Sequence, residues 1–197
     1  PKSYSGVLKD YFSDMQIKAN NFFTDISNYL SYETGQPTHC YDAKKINSKI
    51  TFHERNCNAE FDTLLDQKVL LKETNAVFLQ DNKVINLAGV MGGKSTSCSN
   101  TTKTVIVECA FFNPESLMGK SVQYDIQSDA AHKFERGVDP ECHDHVLRRF
   151  IKIVSDHSNI KDLSLVTYNY KDINKNQILI DENKINQIIG IDISKEQ

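Results

Sequence analysis

The chain has no apolar run near the length of a membrane span and no charged-then-apolar leader, so the expectation is a soluble, cytoplasmic protein with no membrane partner. It also lacks an excess of positive charge. The 23 Lys and Arg residues face 26 Asp and Glu, leaving a formal net charge of -3, which excludes a bulk electrostatic coat on nucleic acid but still allows a local basic patch. No Cys-x-x-Cys pair occurs. The five cysteines, at 40, 57, 98, 109 and 142, are an odd number at irregular spacing, and reduced thiols account for them most simply. Internal repeats and a regular βαβ alternation are missing as well. The 197 residues are enough for one domain with a true core plus part of another.

What is present reads as helices packed on hairpins, an α+β organisation. "FTDISNYLSYETGQP" has helical spacing at Ile26, Tyr29 and Leu30, with Thr24 or Asp25 as the expected cap and Gly35 with Pro37 as the stop. "KITFHERN" alternates like a strand. Between Phe61 and Leu87, short apolar runs are broken by "LDQK" and "QDNK", which have turn composition at hairpin spacing. "NPESLMGKS" predicts a helix capped by Asn113. After "GVDP", with Asp139 as the expected cap, Val146, Leu147, Phe150, Ile151 and Val154 form an apolar stripe. Beyond about Asn159 the chain turns rich in Asn, Lys and Ile and ends just after a helical pattern at Lys184 to Ile189. This division predicts a domain over 1–160, then a linker and the truncated start of another domain over 161–197.

"LAGVMGGKST", Leu87 to Thr96, has the outline of a phosphate-binding loop. That chemistry needs a helix N-terminus after the Lys-Ser to meet the anion. Here Ala88 replaces the first Gly, starting from Gly89 leaves the spacing one residue short, and a Ser/Thr/Asn loop leads into the β-branched run Thr104 to Val107. The expectation is loop then strand. A nucleotide hydrolase is therefore the rival reading, and it would depend on Lys94.

Glu108 lies in "TVIVECAFF" with apolar residues on both sides. A carboxylate placed there loses hydration, so it must find donors, pair with a cation or stay protonated. Both a structural role and a ligand-reading role satisfy that demand. His39 follows a Gly-Gln-Pro turn, and Ser27 and Asn28 lie in the preceding helix, where surface or capping roles are the default. Cys142 and His145 share a helical face near His143, but no second ligand pair stands at structural-zinc spacing, so no metal is expected. In "HKFERGVDP", helix termination accounts for the Gly and an ion pair for Glu135 and Arg136.

Four blocks, "TDISNYLSYETGQPTHCYD", "LAGVMGG", "VECAFFNPESL" and "SDAAHKFERGVDP", in this order and spacing, resemble the editing domain of the β subunit of bacterial phenylalanyl-tRNA synthetase. The resemblance covers roughly Asn21 to Asp156. "PKSYSGVLKDYFSDM" resembles a shortened version of the family's opening strand. The implied fold is α+β, with mixed sheets in a sandwich-like core and flanking helices. The implied activity is hydrolysis of tyrosine wrongly esterified to the phenylalanine tRNA.

Under that resemblance Glu108 reads the phenolic hydroxyl, and Ala88, Gly89 and Gly92 line the pocket, where bare backbone approaches the substrate closely. Ser27, Asn28 and His39 surround the ester, and Ser128 and Ala130 belong to the pocket. Ser27 and Ser128 replace the Thr common in the family but keep its hydroxyl. Catalysis would rest on a water held by His39, Asn28 or backbone groups, with glycine-loop amides or Ser128 facing the oxyanion. The implied partners are the 3' aminoacyl end of the phenylalanine tRNA and the synthetase α subunit, in an α2β2 heterotetramer. No cofactor is implied in this domain, while ATP and magnesium would serve the complete synthetase. A non-catalytic scaffold or RNA-binding module with a degenerate pocket is the alternative.

Overall fold

A computed structural model describes residues 4–168 and 177–194. It divides into two compact units, Pro1–Leu163 and Ser164–Gln197. In the second unit the helix α7 (Glu182–Ile189) is capped by Asp181 and ended by Gly190 in the left-handed conformation. Part of the Asn- and Lys-rich stretch, 169–176, lies outside the described residues.

The first unit opens with a helix, α1 (Gly6–Asp14), where a strand was expected. Tyr4, Leu8 and Tyr11 recur at helical spacing, and Leu8 is completely buried, so the segment folds to place that one side against the next helix. That helix, α2 (Phe22–Thr34), is capped by Asn21, whose side chain accepts from the Thr24 amide at 3.2 Å. Thr24 and Asp25 do not cap it. Asp25 is instead buried and accepts from the Tyr4 hydroxyl and from the Asn20 amide at 2.9 Å, pinning the N-terminal segment to α2.

The strands form two sheets. β1 (Thr38–Asp42) pairs with β6 (Val105–Cys109), and β2 (Ile50–Asp62), β3 (Lys68–Gln80), β4 (Lys83–Leu87) and β5 (Met91–Gly92) form a four-stranded sheet in that order. Every pairing is antiparallel, where mixed sheets were expected. Hairpins cause this: Asp81 and Asn82, both at positive φ (49° and 63°), reverse the chain between β3 and β4 in two residues, too few for a parallel crossover. The short apolar runs expected between Phe61 and Leu87 include the 13-residue strand β3.

Four further helices complete the unit: α3 (Pro114–Leu117), α4 (Lys120–Gln123), α5 (Asp129–Arg136) and α6 (His143–His157). Asn113 caps α3 as expected. α6 begins later than the sequence suggested, because Asp139 accepts the Glu141 amide at 2.8 Å and closes a turn, leaving Cys142 at the N-cap with no side-chain bond to the helix amides. Its buried residues are Val146, Phe150 and Ile153. They join Leu8, Ile26, Leu30 and Cys40 in one core between α1, α2, α6 and the two-stranded sheet, each large side chain contributing about 1.5–3 kcal/mol. Arg149 grips Glu33 through two bonds of 2.7 and 2.8 Å, tying α6 to α2. A second core covers the four-stranded sheet, and a third gathers Ala76, Ala88, Phe112, Leu117 and Phe134.

Gly93 follows β5, and a Cβ built on it would fall 2.5 Å from the Ile85 carbonyl oxygen. Gly93→Ala should therefore lower stability by about 1–3 kcal/mol, read as a drop in the urea midpoint. An unchanged midpoint would show that β5 moves freely away from β4.

Candidate functional site

The two-stranded sheet has two unlike faces. Cys40, Val105 and Val107 pack into the helical core, so alternation turns His39, Tyr41 and Glu108 to the other side. His39 and Glu108 stand directly opposite each other in the antiparallel register. Directly paired residues share a face, so the imidazole and the carboxylate are neighbours by construction.

Glu108 Oε2 accepts the Tyr41 hydroxyl at 2.6 Å and the Asn86 Nδ2 amide, which reaches over from β4, at 3.3 Å. Asn86 Nδ2 also donates to the Tyr41 oxygen at 2.7 Å. Among the described residues, Glu108 pairs with no Lys or Arg, and its Oε1 has no partner. Burial pushes its carboxyl up to about 7, and the Tyr41 bond works against that rise.

His39 sits on Gly92. A Cβ at Gly92 would lie 2.2 Å from His39 Cε1, so only a bare backbone admits the ring. Tyr41 meets the imidazole edge-on at a centroid distance of 4.4 Å. Burial lowers the His39 pKa to about 4, which makes the ring neutral at pH 7, and its Nε2 is buried without a hydrogen-bond partner. An orphaned polar atom of this kind is a place for a water or a ligand group.

The remaining candidates fall into two groups. Ala88, Gly89 and Ala130 converge on the third core, with Ser128 at the start of α5 nearby in sequence: Ala88 is fully buried, Ala130 packs against this core, and a Cβ at Gly89 would lie 2.5 Å from Leu117. Gly89 has a positive φ of 67°, and its amide donates to no acceptor among the described residues. Ser128 caps α5 by accepting the Ala131 amide, and its hydroxyl donates to the Val90 carbonyl at 2.5 Å. That single O–H is already committed, so it reaches an oxyanion only by leaving Val90. Ser27 is tied to Thr38, donating to its carbonyl at 2.5 Å, on the side of β1 that alternation turns away from His39. Asn28 is exposed on α2 and makes no side-chain bond to the site.

The rival motifs are accounted for separately. Lys94 forms an exposed ion pair with Asp66, and Lys94–Thr96 makes one 3-10 turn with no α-helix behind it. The Cys142 thiol donates to the Asp139 carbonyl and to Gln36 Oε1, and among the described residues no three His, Cys, Asp or Glu side chains gather as a metal site. A cavity of about 350 Å3 opens where α2 ends, lined by Gln36, Lys133, Arg136 and Cys142 among others, and Glu108 does not line it. No described helix is long and apolar enough to cross a membrane.

Sequence reasoning missed Tyr41 and Asn86. A signal existed for Asn86, a lone amide inside the apolar strand "VINLAG", and buried amides require partners. The raised Glu108 pKa has a sign that can be tested. A carboxyl held above its unfolded value favours folding while protonated, and that contribution is lost as pH rises from about 4.5 to about 7. Glu108→Gln should thus gain stability relative to wild type across that window and gain nothing at pH 4, measured as the difference in urea midpoints. A difference that does not vary with pH would mean that the carboxyl is well hydrated.

The description of the family model that matches residues 3–159 is B3/4 domain. The phenylalanine–tRNA ligase beta subunit of Francisella tularensis is 37% identical over 141 residues, 71% of this chain and 18% of that protein. Its counterpart in Fusobacterium nucleatum is 31% identical over 191 residues, 96% of this chain and 24% of that protein. The chain thus spans less than a quarter of either relative. A solved N-terminal fragment of the phenylalanyl-tRNA synthetase beta-subunit from Pyrococcus horikoshii overlaps 88% of this chain and 52% of its own, at a TM-score of 0.45 and 10% identity, too loosely to carry weight. Since the family match runs through nearly all of the first compact unit, the chain belongs to the B3/4 domain family.

Proposed function

We propose that this chain is the editing module of a phenylalanine–tRNA ligase β subunit and hydrolyses tyrosine esterified to the phenylalanine tRNA. The observation that carries the reading is Glu108 Oε1, a carboxylate oxygen without a hydrogen-bond partner among the described residues, beside a neutral His39 whose Nε2 is buried and unpartnered. A phenolic hydroxyl would donate to it, whereas phenylalanine would dehydrate the oxygen and offer nothing in return. The similarity to β subunits of the ligase and the B3/4 domain match over residues 3–159, which is compatible with editing, support the same reading.

Hydrolysis would proceed by attack of a water on the ester carbonyl, giving free tyrosine and the tRNA 3' hydroxyl. His39 Nε2 orients the water more than it takes its proton, because a pKa of about 4 makes a weak base at neutral pH. The free Gly89 amide is a better oxyanion donor than the committed Ser128 hydroxyl. Asn28, exposed on α2, would act on the tRNA end rather than on the carbonyl. Amino-acid activation with ATP and magnesium would lie outside this chain, in a cytoplasmic α2β2 assembly with the α subunit. A scaffold with a degenerate pocket is the second reading, favoured by one observation: the Tyr41 phenol already occupies Glu108 Oε2.

The test is release of tyrosine from mischarged phenylalanine tRNA by the assembled synthetase carrying Glu108→Ala. Removing a hydrogen bond to a charged acceptor should cut kcat/KM by at least about tenfold and leave aminoacylation with phenylalanine unchanged. Equal activity in the mutant would make Glu108 structural. No release by wild type would favour the scaffold.

A further inference from the structure

We infer that Tyr41 and Asn86 set the specificity of this site by tying down Glu108 Oε2, so that Oε1 alone, in one fixed direction, is left to accept a ligand hydroxyl. The inference rests on the editing reading for its substrate and on the geometry for its logic. The polarity of the three-membered network follows from its chemistry. Asn86 Nδ2 can only donate, and it contacts both the Tyr41 oxygen and Glu108 Oε2, at 2.7 and 3.3 Å. With its lone pair engaged by Asn86, the Tyr41 hydroxyl directs its one hydrogen to Glu108 at 2.6 Å. Turning the Asn86 amide over would set its oxygen against the carboxylate, so the arrangement has one consistent orientation.

Position and burial make the network rigid. Tyr41 is 1% exposed and Asn86 is 3% exposed, so water does not compete for their bonds. Tyr41 is fixed on one side by the strand register and on the other by the His39 ring, and Asn86 comes from the opposite sheet. An unrestrained carboxylate rotates to offer either oxygen. This one, held at Oε2 by two donors, presents Oε1 in one direction. The two donors also favour the ionised carboxylate, against the effect of burial. An ionised Oε1 accepts and never donates, which is the property that separates a phenol from a bare ring. The groups around Glu108 that titrate are His39 and Tyr41 on its own face, and Cys40 and Cys109 on neighbouring positions of the two strands.

Tyr41→Phe keeps the ring and deletes the hydroxyl, and Asn86→Ala deletes the second donor and keeps the phenol. The probes are L-tyrosinamide and L-phenylalaninamide, bound to the 197-residue chain, with the Glu108 side-chain carboxyl followed by 13C NMR over pH. Wild type should prefer tyrosinamide. Tyr41→Phe should reduce that preference on the order of tenfold and move the Glu108 titration midpoint upward, with Asn86→Ala shifting both in the same direction by less. An equal preference and an equal midpoint in wild type and Tyr41→Phe would overturn the inference, as would a wild type that binds the two probes alike. Failure of the editing reading shows separately, as selective binding of tyrosinamide by a synthetase that releases no tyrosine from its tRNA. Thermal melts of both variants identify any loss of fold, and a folded Asn86→Ala decides the matter if Tyr41→Phe does not fold.

Discussion

A shift of one residue in the pairing of Thr38–Asp42 with Val105–Cys109 would part His39 from Glu108, sending either His39 and Tyr41 or Glu108 into the helical core and bringing Cys40 or Val107 out. What forbids the shift is hydrophobic burial on the far side of the sheet. Cys40, Val105 and Val107 lock against Ile26, Phe150 and their neighbours, and the polar face is oriented as a result. The chemistry of the site is thus set by residues that take no part in it.

That polar face is costly to fold. A carboxyl driven up to about 7 and an imidazole driven down to about 4 are both displaced by dehydration, and the imidazole leaves a nitrogen without a partner. Folded proteins tolerate such groups where activity requires them. Tyr41 and Asn86 offset part of the cost at one carboxylate oxygen and leave the other in need of a donor. The four-stranded sheet contributes the opposing surface, through Asn86 and Gly92 on adjacent strands.

Much of this was legible in the sequence, for reasons that differ by element. The hairpin at Asp81 and Asn82, the Gly35 stop and the Asn113 cap follow from local backbone preferences, and local rules found them. The helix α1 and the late start of α6 were missed because the first depends on Leu8 reaching a distant core and the second on a competing turn at Asp139. The dehydration of Glu108 could be read from its neighbours along the strand. Its donors could not, since Tyr41 and Asn86 lie 67 and 22 residues away and meet it only after the two sheets have formed. The same limit applies to Ser128, whose hydroxyl was free on paper and is bound to Val90 in the fold.

The seating of His39 on Gly92 reaches into how this protein can diverge. The two positions are 53 apart along the chain, yet the space for one side chain is defined by the absence of the other. Position 92 can accept a side chain only in a background where position 39 has already become smaller and Leu64, 2.9 Å from the same point, gives way, so the order of changes matters. Libraries that vary one site at a time would record position 92 as invariant. Varied together they would behave as one steric unit, whose non-additivity measures how firmly the imidazole is held.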